Sequence, residues 1–402
     1  MENDHTEQDK STLKILTIAG GHFINDSFMA FIPALLPLLI QKLSLSLTTA
    51  GTLSAIAQLP AVLNPMIGYV ADRHRLQWAV ILSPGITATM ISLLGIAPNE
   101  PIIAFLILFS GLSTAFFHAP APAMVGNLTK KRLGRAMSWF MAGGEFGYSI
   151  GPLLAVWAVS TFTLEGTARM MVIGWAASAL LYWQLHRCST HMLKSSDAKK
   201  AVSVKAVLPE LLRFFTPMSL MLFMRSFITT ILVVYLPTYM NKQGANLWMS
   251  GASLSILEFA GVIGALVAGS ISDCLGRKSV LVTAFGLSFI CLVWFLNSKG
   301  GELVIALLLL GFTTIATGPI YLAIVQENFP HHRAVANGIY MGSTFLLTSL
   351  TTLIIGIMGD HIGLERTFLW SGIISLLAIP AVFLLPNATH DETQSVTSTA
   401  EI

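Results

Sequence analysis

Twelve long stretches of the chain are almost wholly apolar, and shorter polar segments separate them. They lie near Ile15–Leu39, Thr48–Ala71, Trp78–Ala97, Ile102–Leu128, Ala136–Ser160, Ala168–Gln184, Leu211–Met240, Leu247–Ile271, Val280–Phe295, Leu303–Val325, Ala334–Ile357 and Thr367–Leu385. Their lengths cluster about the roughly 20 residues that carry an α-helix across the hydrocarbon of a bilayer. Within such a stretch no water can pair the backbone, and a helix pairs every group internally. The pattern predicts an all-α membrane protein with twelve transmembrane helices, which we number as spans 1 to 12.

The polar connections carry a repeat. Gly68, Asp72, Asn127 and Arg132 recur 201 residues later as Gly269, Asp273, Asn328 and Arg333. A single offset that serves four positions marks an internal duplication, so the spans form two pseudo-symmetric six-helix bundles. The expected organisation is an N-terminal arm over 1–12, a first bundle over 13–185, a linker over 186–210, a second bundle over 211–386 and a tail over 387–402. The linker is polar and aperiodic, and the tail is rich in Thr and Ser, a composition expected to be disordered. The other connections are too short to hold a soluble catalytic domain.

Composition agrees with a bilayer as the solvent: 54% of the residues are hydrophobic and only 11% are charged. A net charge of +3 is too small to imply nucleic acid. Its distribution says more. Counting Lys and Arg on alternate sides gives 17 on the side of the repeated loops and 5 on the other, with Arg225 left inside a span. That excess is expected to place the loops and both termini in the cytoplasm and the protein in the inner (plasma) membrane. Residues 1–12 are polar, and no cleavable leader is expected. The three cysteines, Cys188, Cys274 and Cys291, show neither a disulfide framework nor a metal-ligand spacing. No cofactor loop or nucleophile motif is visible, which argues against an enzyme.

Charge inside the spans is the candidate chemistry, because an ionisable side chain at the middle of a bilayer costs about 3 kcal/mol or more and must face a cavity or a partner. The residues concerned are His22 and Asp26 in span 1, His118 in span 4, Glu145 in span 5, Arg225 in span 7 and Glu258 in span 8. None of them repeats at the 201-residue offset: Asp26 falls on Phe227, Arg225 on Ile24 and Glu258 on Ala57. The scaffold is symmetric and the lumen is not. His22 and Asp26 lie four residues apart on one helix face, where a carboxylate and an imidazole together can take up and release a proton near neutral pH. Glu145 and Glu258 are further proton carriers. Arg225 cannot shed its charge and therefore needs something negative beside it, either Glu258 or Asp26 or an anionic substrate. His118, beside Pro120 and Pro122, and Asn25, Tyr148 and Tyr235 are the expected remainder of the substrate site.

Two motifs concern movement. In GSISDCLGRK, Gly269, Asp273, Gly276, Arg277 and Lys278 form a short charged loop, and Gly68, Asp72 and Arg73 echo it in the first half. Glycine permits close helix approach there, and an aspartate can pair with basic groups or with a helix N-terminus, so the loop is expected to act as a conformational latch. Span 5 carries Gly143, Gly147 and Gly151 at four-residue spacing, a bare stripe fit for tight packing, followed by Pro152, which is expected to bend it.

Two six-span halves joined by a linker and bearing this loop resemble the major facilitator superfamily, and the resemblance covers nearly the whole chain. It implies halves that rock about a site near the membrane midplane. Gly147, Gly151 and Pro152 resemble the core of the antiporter motif of drug-exporting facilitators. GHFINDSFMAFIPALLPLL, the LxPxxGYxADR pattern at Leu63–Arg73, FFHAPA and GGxFGxSxGP at Gly143–Pro152 are similar to the fosmidomycin-resistance group. That resemblance implies a monomeric, proton-coupled antiporter exporting a small anionic or zwitterionic organic molecule. Uptake of a metabolite is the alternative within transport. A metal route through His22, Asp26, His118 and Glu145 would use metal-ligand residue types without a marking spacing, and a non-transporting sensor would tolerate neutral lumen residues.

Overall fold

Among the described residues each apolar run does form a helix, for the reason that predicts it: the only partners available to its N–H and C=O groups are its own. The computed structural model describes residues 2–64, 66–67, 70, 77–129, 133–186, 204–329 and 333–385. Gly68, Asp72 and Arg73 lie outside the described residues, as do most of the expected linker and the whole expected tail. Among the described residues ten helices are long and apolar enough to cross a bilayer, and the shorter Leu47–Leu63 supplies part of span 2. One of the ten, Arg135–Leu185, holds spans 5 and 6 together. Its chain turns at Thr163, the one non-helical residue of Leu133–Gly166, with φ 66° and ψ 173°. Pro152 sits inside that helix, and no break in the backbone occurs there.

Prolines interrupt other spans. Span 1 is two helices, Glu2–Met29 and Phe31–Leu43. Span 4 stops at His118 and resumes as Ala121–Leu128, because Pro120 has no N–H to continue the ladder. Span 10 divides at a similar depth into Gly301–Ile315 and Thr317–Asn328. Many hydroxyls in the spans donate to the carbonyl four residues back, as Thr17 does to Leu13 at 2.8 Å and Ser27 to Phe23 at 2.6 Å. Such bonds let a Ser or Thr lie in hydrocarbon without an orphan donor.

The halves meet through pseudo-symmetric pairs: span 2 with span 11, span 5 with span 8, and span 1 with span 7. Glycine makes the first two crossings close. A Cβ at Gly51 would lie 2.7 Å from the Thr352 carbonyl oxygen, one at Gly356 would lie 2.7 Å from the Leu47 oxygen, and one at Gly251 would lie 2.4 Å from a Val156 methyl. All three contacts lie toward the face opposite the repeated loops. Of the four buried apolar clusters among the described residues, the one that spans both halves is also there, where Leu36, Leu47 and Ala50 join Tyr235, Tyr239 and Phe368. At the loop face each half keeps a cluster to itself. Among the described residues the halves therefore share an apolar seal at one face and none at the other.

Asp360 fastens the sealed face. Its carboxylate accepts from the backbone N–H groups of Leu47 and Thr48, each at 2.8 Å, and from the Thr48 hydroxyl at 2.6 Å. Ser46 caps the next N–H, that of Thr49, at 2.9 Å. The free donors and positive dipole end of the span 2 helix are thus met by a carboxylate from the other half. Asp360→Ala removes three charge-assisted bonds, each worth about 1.5–3 kcal/mol. It is expected to raise several-fold the reactivity of a cysteine placed at Ser54, behind the seam, toward an impermeant maleimide applied to that face. Equal reactivity in the two backgrounds would mean that Asp360 does not hold the seam.

Candidate functional site

The glycine stripe of span 5 decides where span 1 can lie. A Cβ at Gly143 would stand 2.4 Å from the Ala19 carbonyl oxygen, one at Gly147 would stand 2.6 Å from the Phe23 oxygen, and one at Gly151 would stand 2.4 Å from the Ser27 oxygen. The stripe predicts a tight neighbour, and the neighbour is the middle of span 1. This contact turns His22 and Asp26 inward, where they are 3% and 2% exposed. Span 4 brings His118 to them from 96 residues away. His22 Nε2 and Asp26 Oδ2 lie 3.1 Å apart, His118 Nε2 and the same oxygen 3.5 Å, and the two Nε2 atoms 3.0 Å. The His22 ring stacks on Phe140 with centroids 4.2 Å apart, so one wall of the cluster is apolar.

Asn25 belongs to this cluster and is wholly buried. Its amide nitrogen donates to Asp26 Oδ1 at 3.0 Å and to the Thr114 hydroxyl at 3.3 Å, and its oxygen accepts from the Thr87 hydroxyl at 2.9 Å. The same Thr87 hydroxyl lies 2.9 Å from that of Ser113. Spans 1, 3 and 4 are thereby tied by a polar chain with Asp26 at its end. Asn25 holds the carboxylate in place and does not face the lumen.

Between the halves lies a cavity of about 290 Å³. Its polar lining is Ser54, Gln58, Tyr148, Thr229, Thr230, Glu258 and Thr348, among apolar groups such as Ile32, Val233 and Leu254. The Thr230 hydroxyl is buried and has no hydrogen-bond partner among the described residues. Tyr148 is within electrostatic reach of Asp26, Glu145 and Glu258, which joins the cavity to the cluster in span 1. Glu145, next to Gly144 on span 5, is exposed. Arg225 is one turn from Thr229 toward the loop face and is half-buried. Its Nε donates to the Thr317 hydroxyl at 2.7 Å, and its guanidinium stands 5.3 Å over the Tyr321 ring. Among the described residues no carboxylate lies within 4.0 Å of it, so neither Glu258 nor Asp26 is its ion-pair partner. Tyr235 stands apart from these groups: it is fully buried in the seam and donates to the Thr352 oxygen at 3.1 Å and the Leu47 oxygen at 3.3 Å.

The family model described as Major Facilitator Superfamily matches residues 18–341 and 254–400. The chain belongs to that superfamily. It is 24% identical over 392 residues to the Fosmidomycin resistance protein of Escherichia coli (strain K12), covering 96% of each chain. It is 26% identical over 397 residues to the uncharacterized MFS-type transporter YfnC of Bacillus subtilis (strain 168), covering 93% of each. Its fold matches that of the nucleoside transporter NupG with a TM-score of 0.76 at 14% identity, over 93% of this chain and 99% of that one. This facilitator is a multi-pass membrane transporter and not an enzyme.

The facilitator loop of the second half is built around Arg277. Gly276, at φ 87°, makes the one-residue turn from span 8 into span 9, a conformation that other residues seldom adopt. Arg277 then pairs with Asp273 one turn back and with Glu327 at the end of span 10, at 2.8 Å. Lys278 donates to the Leu385 oxygen at 2.7 Å. Each of these bonds stays within the second half. Sequence reasoning passed over Asp360, whose repeat position is Val159. A signal was available in a carboxylate at the end of one span and an exposed helix start, Ser46 to Thr49, on the same face.

The polar chain behind Asp26 can be tested alone. Thr87→Val keeps the shape, leaves Asn25 Oδ1 and Ser113 without their partner, and is expected to cost about 1–3 kcal/mol, seen as a lowered Tm in detergent. Thr216→Val, whose hydroxyl only bonds back to Leu212, is expected to leave the Tm unchanged.

Proposed function

We propose that this facilitator is a proton-coupled antiporter that exports small zwitterionic or anionic organic molecules, with the loop face in the cytoplasm. The observation that carries the reading is Arg225, a guanidinium that cannot be neutralised, sits beside the midplane cavity, and has no carboxylate partner among the described residues. A permanent cation in hydrocarbon without a protein anion is a receptor for an anionic group. The loop face, where the halves share no apolar seal among the described residues, lets such a group in. The excess of Lys and Arg on the loop side supports the orientation. The name of the E. coli relative, Fosmidomycin resistance protein, supports the cargo class.

Coupling follows from Glu258, the carboxyl that lines the same cavity, with Glu145 nearby. Proton and cargo exchange only if each weakens the other's binding, and that effect is reciprocal. A zwitterion meets this condition directly. Its acidic group takes Arg225, and its cationic group takes the place of the proton on Glu258. A simple anion would instead bind better when Glu258 is protonated, which favours movement together. The reading therefore ranks zwitterions above simple anions as exchanged cargo. A single chain holds both halves of the cavity, so a monomer suffices.

Inverted membrane vesicles energised to an inside-acid gradient test this. Fosmidomycin and a panel of zwitterionic and anionic compounds are added to wild type, Arg225→Ala and Glu258→Gln. Discharge of the gradient is expected with wild type, and at least a tenfold smaller rate with either variant. Labelled cargo that crosses without discharging the gradient would overturn antiport in favour of uniport or symport.

A further inference from the structure

We propose that spans 1 and 4 hold a divalent transition-metal ion of the zinc type on His22 Nε2, His118 Nε2 and Asp26 Oδ2. The inference stands apart from the exporter reading and survives its failure. It begins with the outer ring nitrogens. His22 Nδ1 lies 2.8 Å from the Phe140 carbonyl oxygen, and His118 Nδ1 lies 3.0 Å from that of Thr114. A carbonyl oxygen only accepts, so each Nδ1 carries its hydrogen. With both rings neutral, each offers a lone pair at Nε2. Those lone pairs meet each other at 3.0 Å and meet Asp26 Oδ2 at 3.1 and 3.5 Å. In that protonation state three acceptors converge in a buried place, and a cation, whether a proton or a metal ion, must hold them together.

The dimensions suit a metal. An ion with tetrahedral bonds of about 2.0–2.1 Å spaces its ligand atoms roughly 3.3 Å apart, and the three separations straddle that value. Two imidazoles and one carboxylate select zinc, cobalt or nickel over magnesium or calcium, which prefer oxygen throughout. Partners behind the ligands are in place as well: a backbone carbonyl orients each imidazole, and the Asn25 amide holds the second carboxylate oxygen at 3.0 Å. Span 5 passes close to the ligand atoms, and only glycine fits there: a Cβ at Gly144 would lie 2.6 Å from His22 Nε2 and 2.8 Å from Asp26 Oδ2. His118 supplies the way in, its side chain being 31% exposed where those of His22 and Asp26 are 4% and 3%. All three ligands belong to the first half, so rocking of the halves leaves the site whole.

Tag-free, full-length protein in detergent is titrated with Co²⁺ and followed by its visible d–d absorption, and Zn²⁺ retained after desalting is counted by elemental analysis. One ion per chain is expected, with Zn²⁺ displacing Co²⁺. His118→Ala and Asp26→Asn are each expected to weaken binding at least about a hundredfold, and His361→Ala, at the exposed end of span 11, is expected to leave it unchanged. Monodispersity on gel filtration qualifies each variant, and either ligand variant suffices for the comparison. A monodisperse wild type that retains no ion would mean that a proton alone occupies the cluster, and would overturn the proposal. Equal binding in wild type and the ligand variants, or loss with His361→Ala, would assign the ion to the surface and overturn it too.

Discussion

A polar group in hydrocarbon has no water to fall back on, and the rest of this structure follows from how each such group is met. The backbone is met by helices and most hydroxyls by the carbonyl a turn behind. The charged residues exceed what a helix can supply by itself. In the first half the solution is collective: Asp26 is enclosed by two imidazoles, an amide and a chain of hydroxyls running to Ser113. In the second half the solution is incomplete. Arg225 has a hydroxyl and an aromatic face, Glu258 has the cavity, and the Thr230 hydroxyl has no partner among the described residues.

That difference is the physical content of the broken symmetry. The duplicated scaffold gives both halves the same helices and the same crossings, yet the first holds the enclosed Asp26 cluster, with Glu145 exposed on span 5, and the second holds Arg225 and Glu258 without an ion-pair partner among the described residues. A cluster satisfied within one half can move as a body without losing bonds. The seam observes the same economy, because Asp360 is paired with donors that the start of span 2 would otherwise leave free.

The fold was legible because its signals are local. Each apolar run states its own length, and the repeat states its own offset, so twelve spans in two bundles need no tertiary information. The glycine stripe announced a close neighbour, though only packing names span 1 as that neighbour. The site was legible as a set of expensive residues and illegible as an arrangement. His22 and Asp26 are a turn apart and could be paired on sequence, whereas His118 joins them across 96 residues through the contact of span 4 with span 1. Tyr235 and Tyr148 look alike in sequence. One is locked in the seam and the other lines the cavity, a distinction set by which face of each helix meets the opposite half.

Spans 8 and 11 carry glycines of two kinds. At the sealed face, Gly251 of span 8 and Gly356 of span 11 are filled positions, with a neighbour's atoms where a Cβ would stand. At the loop face, Gly269 of span 8 and Gly338 and Gly342 of span 11 meet nothing within 4 Å. Glycine in a helix costs stability relative to alanine unless close approach offsets it. Filled glycines at one end have their reason in this structure. Open ones at the other end have no such neighbour here, so their cost is not offset by close approach in this conformation.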